Sequence, residues 1–338
     1  MTLGPGGGSY FLPRRHVLIA GAVSLVGLTA AEVRTVPAAA HDDETTGALW
    51  SFFDQYRKLG QRASATLVLP GLMAQMQTIQ RLAMASSGSH RTRLLVLGAR
   101  SAELTGWMAQ EAGDDLASSV WTGLAADLAT RAGDFDLATY TLVRQAELAL
   151  YRGDSRMTVD LARRVQAKGP VAARVRGLAA QREAQGHALA GDADLCRQAL
   201  ERAAHLSTAA TGPGSATLGA TTVTDPMATV TGWCLYDLGR PRESARVLES
   251  ATAALPPTAR RARARFGARL ALAWAAAGEV DRACAATRGM LADAEHVESS
   301  TVAQDLRRLA HLLSRSGSYR PVQALMPQLV AAARDPQD

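Results

Sequence analysis

The chain has 338 residues, 47% hydrophobic and 5% aromatic, with a formal net charge of +6. This is enough apolar material for a sizeable core, and the excess charge is too small to demand a nucleic-acid partner. Three scattered cysteines, Cys196, Cys234 and Cys284, with no CxxC pair, exclude a disulfide framework and read as small buried hydrophobes.

Residues 1–13 are Gly-rich and expected to be disordered. Arg14-Arg15-His16-Val17-Leu18 then opens an apolar stretch that reaches Ala31, and Ala38-Ala39-Ala40 precedes the acidic residues Asp42, Asp43 and Glu44. A twin arginine, a mild apolar core and an Ala-x-Ala site resemble a twin-arginine export signal. The same residues fit a remnant linker, or a helix packed on the end of an array. The apolar run is short for a membrane span of about 20 residues, and no other segment reads as one. The expected division is therefore a tail with a short apolar segment over 1–44, and one helical repeat domain over 45–335.

From residue 45 the pattern is helical throughout, as an Ala-, Leu- and Arg-rich composition favours. Trp50, Phe53 and Arg57 share helical spacing over 45–60, and a helix over 63–85 is expected to be interrupted or kinked at Pro70-Gly71. Helix pairs then alternate. The first members cover about 91–111, 135–151, 172–189, 226–237, 259–276 and 299–315. Their partners cover about 115–131, 155–167, 193–206, 241–254, 280–295 and 319–333.

A glycine recurs about every forty residues, at Gly113, Gly153, Gly191, Gly239, Gly278 and Gly317. Seven residues before each stands Gly106, Ala146, Ala184, Gly232, Ala271 or Ala310; five after come Ser118, Thr158, Cys196, Ser244, Ala283 and Val322. A fixed period of this kind marks a solenoid. The glycine ends the first helix in left-handed geometry, and small residues let the two helix backbones approach. The 48-residue spacing between Gly191 and Gly239 contains Thr208 to Pro226, expected to be a slack surface loop. Arg260, Arg261, Arg263, Arg265 and Arg269 spread around one helix and read as a solvated face, or as a site for an acidic partner.

Catalytic constellations are missing. The seven histidines form no H-E-x-x-H, the glycines of residues 4–8 lead into no P-loop, and no G-x-S-x-G stands in a strand-turn-helix context. Asp134/Asp136 and Asp192/Asp194 stand at helix starts, where capping accounts for them. No enzyme activity, metal or cofactor is expected.

Gly239-Arg240-Pro241-Arg242-Glu243-Ser244-Ala245-Arg246-Val247-Leu248, ending at Ala254-Leu255-Pro256, resembles the tetratricopeptide repeat, with units of 38–40 residues longer than that family's. The stretch from about Leu49 to Leu329 is further similar to the sensing half of actinobacterial regulators that join a helix-turn-helix to such repeats. Leu94-Leu95-Val96-Leu97-Gly98-Ala99, Gly106 to Asp114 and Trp121 carry that likeness. No helix-turn-helix pattern precedes Trp50.

The resemblance implies an all-α fold, a right-handed superhelical solenoid of antiparallel helix pairs whose first helices line a concave face. It implies ligand-facing positions at Arg100, Glu103, Trp107, Gln110, Tyr140, Glu147, Gln181, Gln185, Trp233, Tyr236, Arg265, Gln304, Arg307 and His311. For Trp107 and Trp233, inter-helix packing is the competing reading, and for the Gln and Arg positions plain solvated surface. The expected function is a non-catalytic, cytoplasmic scaffold for a protein or peptide, related to transcriptional regulators. An exported scaffold and a direct DNA-binding regulator are the alternatives. Direct nucleic-acid contact and stable membrane insertion are not expected beyond the export-signal reading, and a homodimer is left open.

Overall fold

The computed structural model describes residues 38–209, 218–219 and 222–334. The twin-arginine segment, the Gly-rich start and Gly214 lie outside them. The chain divides into two units, Met1–Asp43 and Glu44–Asp338. Of the first, residues 38–43 are described, as the opening turns of a helix that continues into the second.

The described residues form fourteen α-helices and no strand. They are α1 Ala38–Gly60, α2 Ala65–Ala85, α3 Gly88–Glu111, α4 Asp115–Ala132, α5 Phe135–Tyr151, α6 Ser155–Ala167 and α7 Ala173–Ala190. There follow α8 Ala193–Ala209, α9 Pro226–Asp237, α10 Pro241–Ala253, α11 Arg260–Ala276, α12 Val280–Val297, α13 Ser300–Ser314 and α14 Arg320–Ala332. From α2 to α12 successive helices pack against each other, as do α13 and α14, and α3, α5, α7, α9, α11 and α13 also meet along the inner side. The fold is an all-α, tetratricopeptide-like solenoid of antiparallel pairs. No described helix is long and apolar enough to cross a membrane.

The local chemistry explains the repeat. Gly113, Gly153, Gly191, Gly239 and Gly278 hold φ of 74° to 84°, a region strained for residues with a Cβ. Asp114, Asp134 and Asp154 follow such glycines, and each carboxylate accepts the amide of the residue three positions on at 2.8–2.9 Å, capping the next helix. The small residues sit where the helices cross. A Cβ on Gly232 would meet Leu248 at 2.5 Å, and Ser244 Oγ donates to the Gly232 carbonyl at 2.6 Å. Cys196, Cys234 and Cys284 are buried and free.

Several expectations need correction. Gly317 does not take the left-handed conformation; the longer 315–319 connection reverses the chain without it, whereas Gly133 does take it, between pairs. Helix α2 runs unbroken through Pro70, which is near its start and exposed. The described part of the Thr208–Pro226 stretch is not slack. Leu218 is buried, Thr222 Oγ1 donates to Gln61 Oε1 at 3.2 Å, and Thr224 Oγ1 donates to the Ala254 carbonyl at 3.0 Å.

The largest correction concerns α11. Its arginines are not a solvated face. Arg261 and Arg269 are buried, and Arg263 and Arg265 half-buried, each ion-paired to an acidic side chain of the chain itself. Arg261 joins regions far apart in sequence. Its Nε donates to the Gly60 carbonyl at 2.7 Å, its Nη2 to the Ala63 carbonyl at 2.5 Å, and its Nη1 to Glu111 Oε2 at 2.6 Å. Ser299 Oγ donates to the same Glu111 oxygen at 2.5 Å, and the Arg261 amide to the Gln61 carbonyl at 3.0 Å. Within the second unit, the array therefore curls until its last pairs touch its first. Nearest-neighbour stacking alone does not describe it.

Candidate functional site

The curl encloses a cavity of about 510 Å³, within the range of small-ligand pockets. Its wall comes mainly from the first helix of each pair. Helix α3 contributes Arg100, Glu103, Leu104 and Trp107, and α5 contributes Tyr140, Val143, Arg144 and Glu147. Helix α7 adds Arg174, Leu178, Gln181, Arg182 and Gln185; α9 adds Met227, Thr229, Val230 and Trp233; α11 adds Arg261, Arg265 and Phe266. Phe53 and Arg57 of α1, Gln61, Ser207 of α8, Gly219, Thr222, Val223 and Thr224 also line it. Helical periodicity puts positions such as 174, 178, 181, 182 and 185 on one stripe.

Nine of the positions implied by the resemblance meet at this wall: Arg100, Glu103, Trp107, Tyr140, Glu147, Gln181, Gln185, Trp233 and Arg265. The other five do not. Gln110 is buried beside the wall and accepts from Arg144 Nη2 at 2.8 Å, holding that guanidinium. Gln304 donates to the Tyr151 carbonyl at 3.3 Å, tying α13 to α5. Tyr236, Arg307 and His311 border a separate, shallow depression, and Arg307 Nη1 donates to the Ala333 carbonyl at 3.0 Å past the end of α14. Arg307 and His311 are displaced because the array curls, so that the last pair faces its own neighbours; Tyr236, at the end of α9, faces that pair and not the enclosed space.

The wall is electropositive. Seven arginines (Arg57, Arg100, Arg144, Arg174, Arg182, Arg261, Arg265) face it with two carboxylates, Glu103 and Glu147. Arg144 pairs with both, contacting Glu147 directly and Glu103 at 3.5 Å. Arg265 lies 3.4 Å from Glu147 and donates to the Tyr151 hydroxyl. Burial opposes the charge on Glu147, but Arg144, Arg182 and Arg265 together outweigh it and hold the carboxyl down at about 2. Glu103 goes the other way. Burial lifts its carboxyl above the ordinary value against the pull of Arg144 and Arg100, with Glu147 adding to the rise. Burial also pushes the Tyr151 phenol up to about 12, despite Arg265, so it remains a neutral hydrogen-bonding group.

The two tryptophans serve both readings open at the sequence level. Trp233 is buried with the Arg269 guanidinium 3.5 Å from its ring centroid, while an edge remains at the cavity. Trp107 is half-buried beneath Arg261, 5.6 Å from its centroid. Sequence reasoning missed Arg144, Arg174 and Arg182, and read Arg261 only as one member of the α11 arginine cluster. The first three lie on the same helix faces as Glu147, Gln181 and Gln185, so that periodicity could have found them. Nothing local signals Arg261, because its partners are some 150 to 200 positions away in sequence.

No protein-family model matches the chain, and no curated protein matches it in sequence. Among solved structures it is similar to the crystal structure of a Rap protein complexed with competence and sporulation factor. Identity is 12%, the match covers 86% of this chain and 99% of that one, and the TM-score is 0.44. A likeness at that level assigns neither a family nor a ligand.

Proposed function

We propose that this chain is a non-catalytic repeat scaffold that binds a peptide, or an extended segment of a protein, in the cavity enclosed by its inner helices. One observation carries the reading: the first helices of five successive pairs direct arginine, glutamine, tyrosine and tryptophan side chains into a single space of about 510 Å³. Guanidiniums and side-chain amides suit the backbone and charged groups of a peptide, and aromatic edges supply anchoring area. A regulatory role in the cytoplasm, allied to transcriptional regulators, rests on the sequence resemblance of Leu94–Asp114.

The test is affinity capture from the native host with the intact protein and with Met227→Trp, which fills the wall from the half-buried first turn of α9. A peptide or protein retained by the wild type and lost from Met227→Trp, at unchanged helical content, is the expected result. Equal retention by both would move the interaction to the outer face and overturn the proposal. Sequence-specific duplex binding by the purified chain would do so in favour of a direct DNA-binding role.

A further inference from the structure

The arginines around the cavity are not equivalent. Arg57 has Asp54 at 3.4 Å and Arg261 has Glu111 at 2.6 Å, both carboxylates outside the wall. Arg144 and Arg265 share Glu147, and Arg144 also reaches Glu103. Two arginines of α7 differ from these. Arg174 Nε donates to the Leu218 carbonyl at 2.7 Å, and Arg182 Nη1 donates to the Gln185 side-chain oxygen at 2.7 Å. Both acceptors are uncharged, and Arg182 Nε is buried with no hydrogen-bond partner. Neither guanidinium has a carboxylate within ion-pair distance among the described residues: Arg182 acts on Glu147 only from farther away, and Arg174 meets the neutral Leu218 carbonyl. Between them, one turn from each, Leu178 also faces the cavity.

The stripe Arg174, Leu178, Arg182 therefore reads charge, apolar, charge along one helix face. Eight residues at about 1.5 Å rise separate its ends by roughly 12 Å. An extended peptide advances about 3.3–3.6 Å per residue, with side chains alternating in direction. Two side chains four positions apart thus point the same way and lie roughly 13–14 Å from each other. Resting on the peptide-binding reading above, we propose that the cavity selects short peptides carrying two carboxylates four positions apart. One carboxylate is held by Arg174 and the other by Arg182, with an apolar residue between them against Leu178. Guanidinium forks fit carboxylates, and a partly enclosed wall screens each pair less than open water does.

The test uses synthetic hexapeptide pools, acetylated and amidated so that their ends carry no charge, offered to the intact protein. One pool fixes Asp at two positions four apart with apolar residues elsewhere; a second places the two Asp side by side; a third replaces both by Asn. A fourth keeps one Asp and supplies the second carboxylate as a free carboxy terminus, which separates a terminal group from a side chain as its source. Retention is read by mass spectrometry, and retained peptides are titrated calorimetrically. The four-apart pool, or the free-terminus pool, is expected to be retained over the Asn pool by about ten- to a hundred-fold, the range of a charged hydrogen bond in free energy. Arg174→Gln and Arg182→Gln should each lose an effect of that size, and Arg182→Lys should recover part of it, at unchanged melting temperature. Equal retention of the Asn pool, itself lost from Met227→Trp, would overturn this inference while leaving peptide binding in the cavity intact. Retention of no pool, with the captured partner surviving in Met227→Trp, would overturn both.

Discussion

Two arginine sites on the cavity wall, one on α11 and one on α7, show opposite uses of a charge drawn out of water. At Arg261 every donor group meets an acceptor: two backbone carbonyls of the α1–α2 turn, and Glu111 at the end of α3, which Ser299 also supports. On α7, Arg174 and Arg182 meet neutral acceptors and point into open volume. A buried guanidinium is tolerated when it is paired and hydrogen-bonded, and removing one partner then leaves a stranded charge. The paired site is therefore a clasp that closes the array. The unpaired one has charge left over for a ligand.

The widest break in that comparison is removal of the clasp altogether. Truncation after Ala254 deletes α11 to α14, and with them Arg261, Arg265 and the Ser299 support of Glu111. In a simple linear array the remainder would lose only the stacking energy of the missing pairs. Here the truncation also strands Glu111, and it exposes the wall that α11 covered. The fragment is expected to lose its cooperative melting transition or to aggregate, read by circular dichroism and sedimentation. A fragment that melts cooperatively, within a few degrees of the full chain, would show that the clasp is dispensable.

A single substitution tests the same point more gently. Glu111→Ala leaves Arg261 buried without its carboxylate, and breaking a buried pair in this way costs about 3–5 kcal/mol. Chemical denaturation should place the loss in that range. Glu111→Ala together with Arg261→Met, which removes both charges, should recover much of it, since an apolar pair of similar volume often matches a buried ion pair.

How much of this was legible in the sequence follows from the range of the interactions. The forty-residue glycine period and the Asp caps are local, and they placed helix pairs such as 135–151 with 155–167 at the residues where they stand. Tertiary contacts across a hundred or more positions leave no local trace. The arginines of α11 thus look like a solvated face until Glu111, Glu147 and Asp305 are folded against them. The wall positions on α3, α5 and α7 could be carried over because helical periodicity fixes them once the register is known. Arg307 and His311 could not be judged the same way, because the curl removes α13 from the enclosed space.

Acid should probe separately the carboxyls whose arginines outweigh burial and the one for which burial wins. Glu147 is held at about 2 and Glu111 is also lowered, in each case because nearby arginines outweigh burial: Arg144, Arg182 and Arg265 for the first, Arg261 and Arg265 with the Ser299 hydroxyl for the second. A folded value below the unfolded one means stability that is present above the unfolded value of 4.5. For Glu147 that stability is lost as pH falls toward about 2. Glu103 has the opposite sign. Its raised value costs stability at neutral pH and relieves that cost as it protonates. Denaturant midpoints measured from pH 7 downward should hold or rise slightly before they fall, and Glu103→Gln should reduce the early rise, leaving the part due to Asp237, which burial also raises. A monotonic fall from pH 7 in both proteins would contradict this assignment.

The smallest expected effect is the most discriminating. Arg182→Gln removes a half-buried guanidinium whose hydrogen bond goes to Gln185 and whose surroundings already include Arg144 and Arg265. A glutamine amide can still donate to the Gln185 oxygen, and the loss of like-charge repulsion offsets the weaker field on Glu147. The net change in stability should fall within about 0.5 kcal/mol, the range of substitutions that disturb no paired buried group. Arg261→Gln is the counterpart at the clasp, where one amide cannot replace bonds to Gly60, Ala63 and Glu111 at once, and should cost several times more. Denaturation of the two variants side by side compares them directly. Similar losses would mean that Arg182 is as structural as Arg261, and the surplus charge on α7 would then have to be explained by the fold.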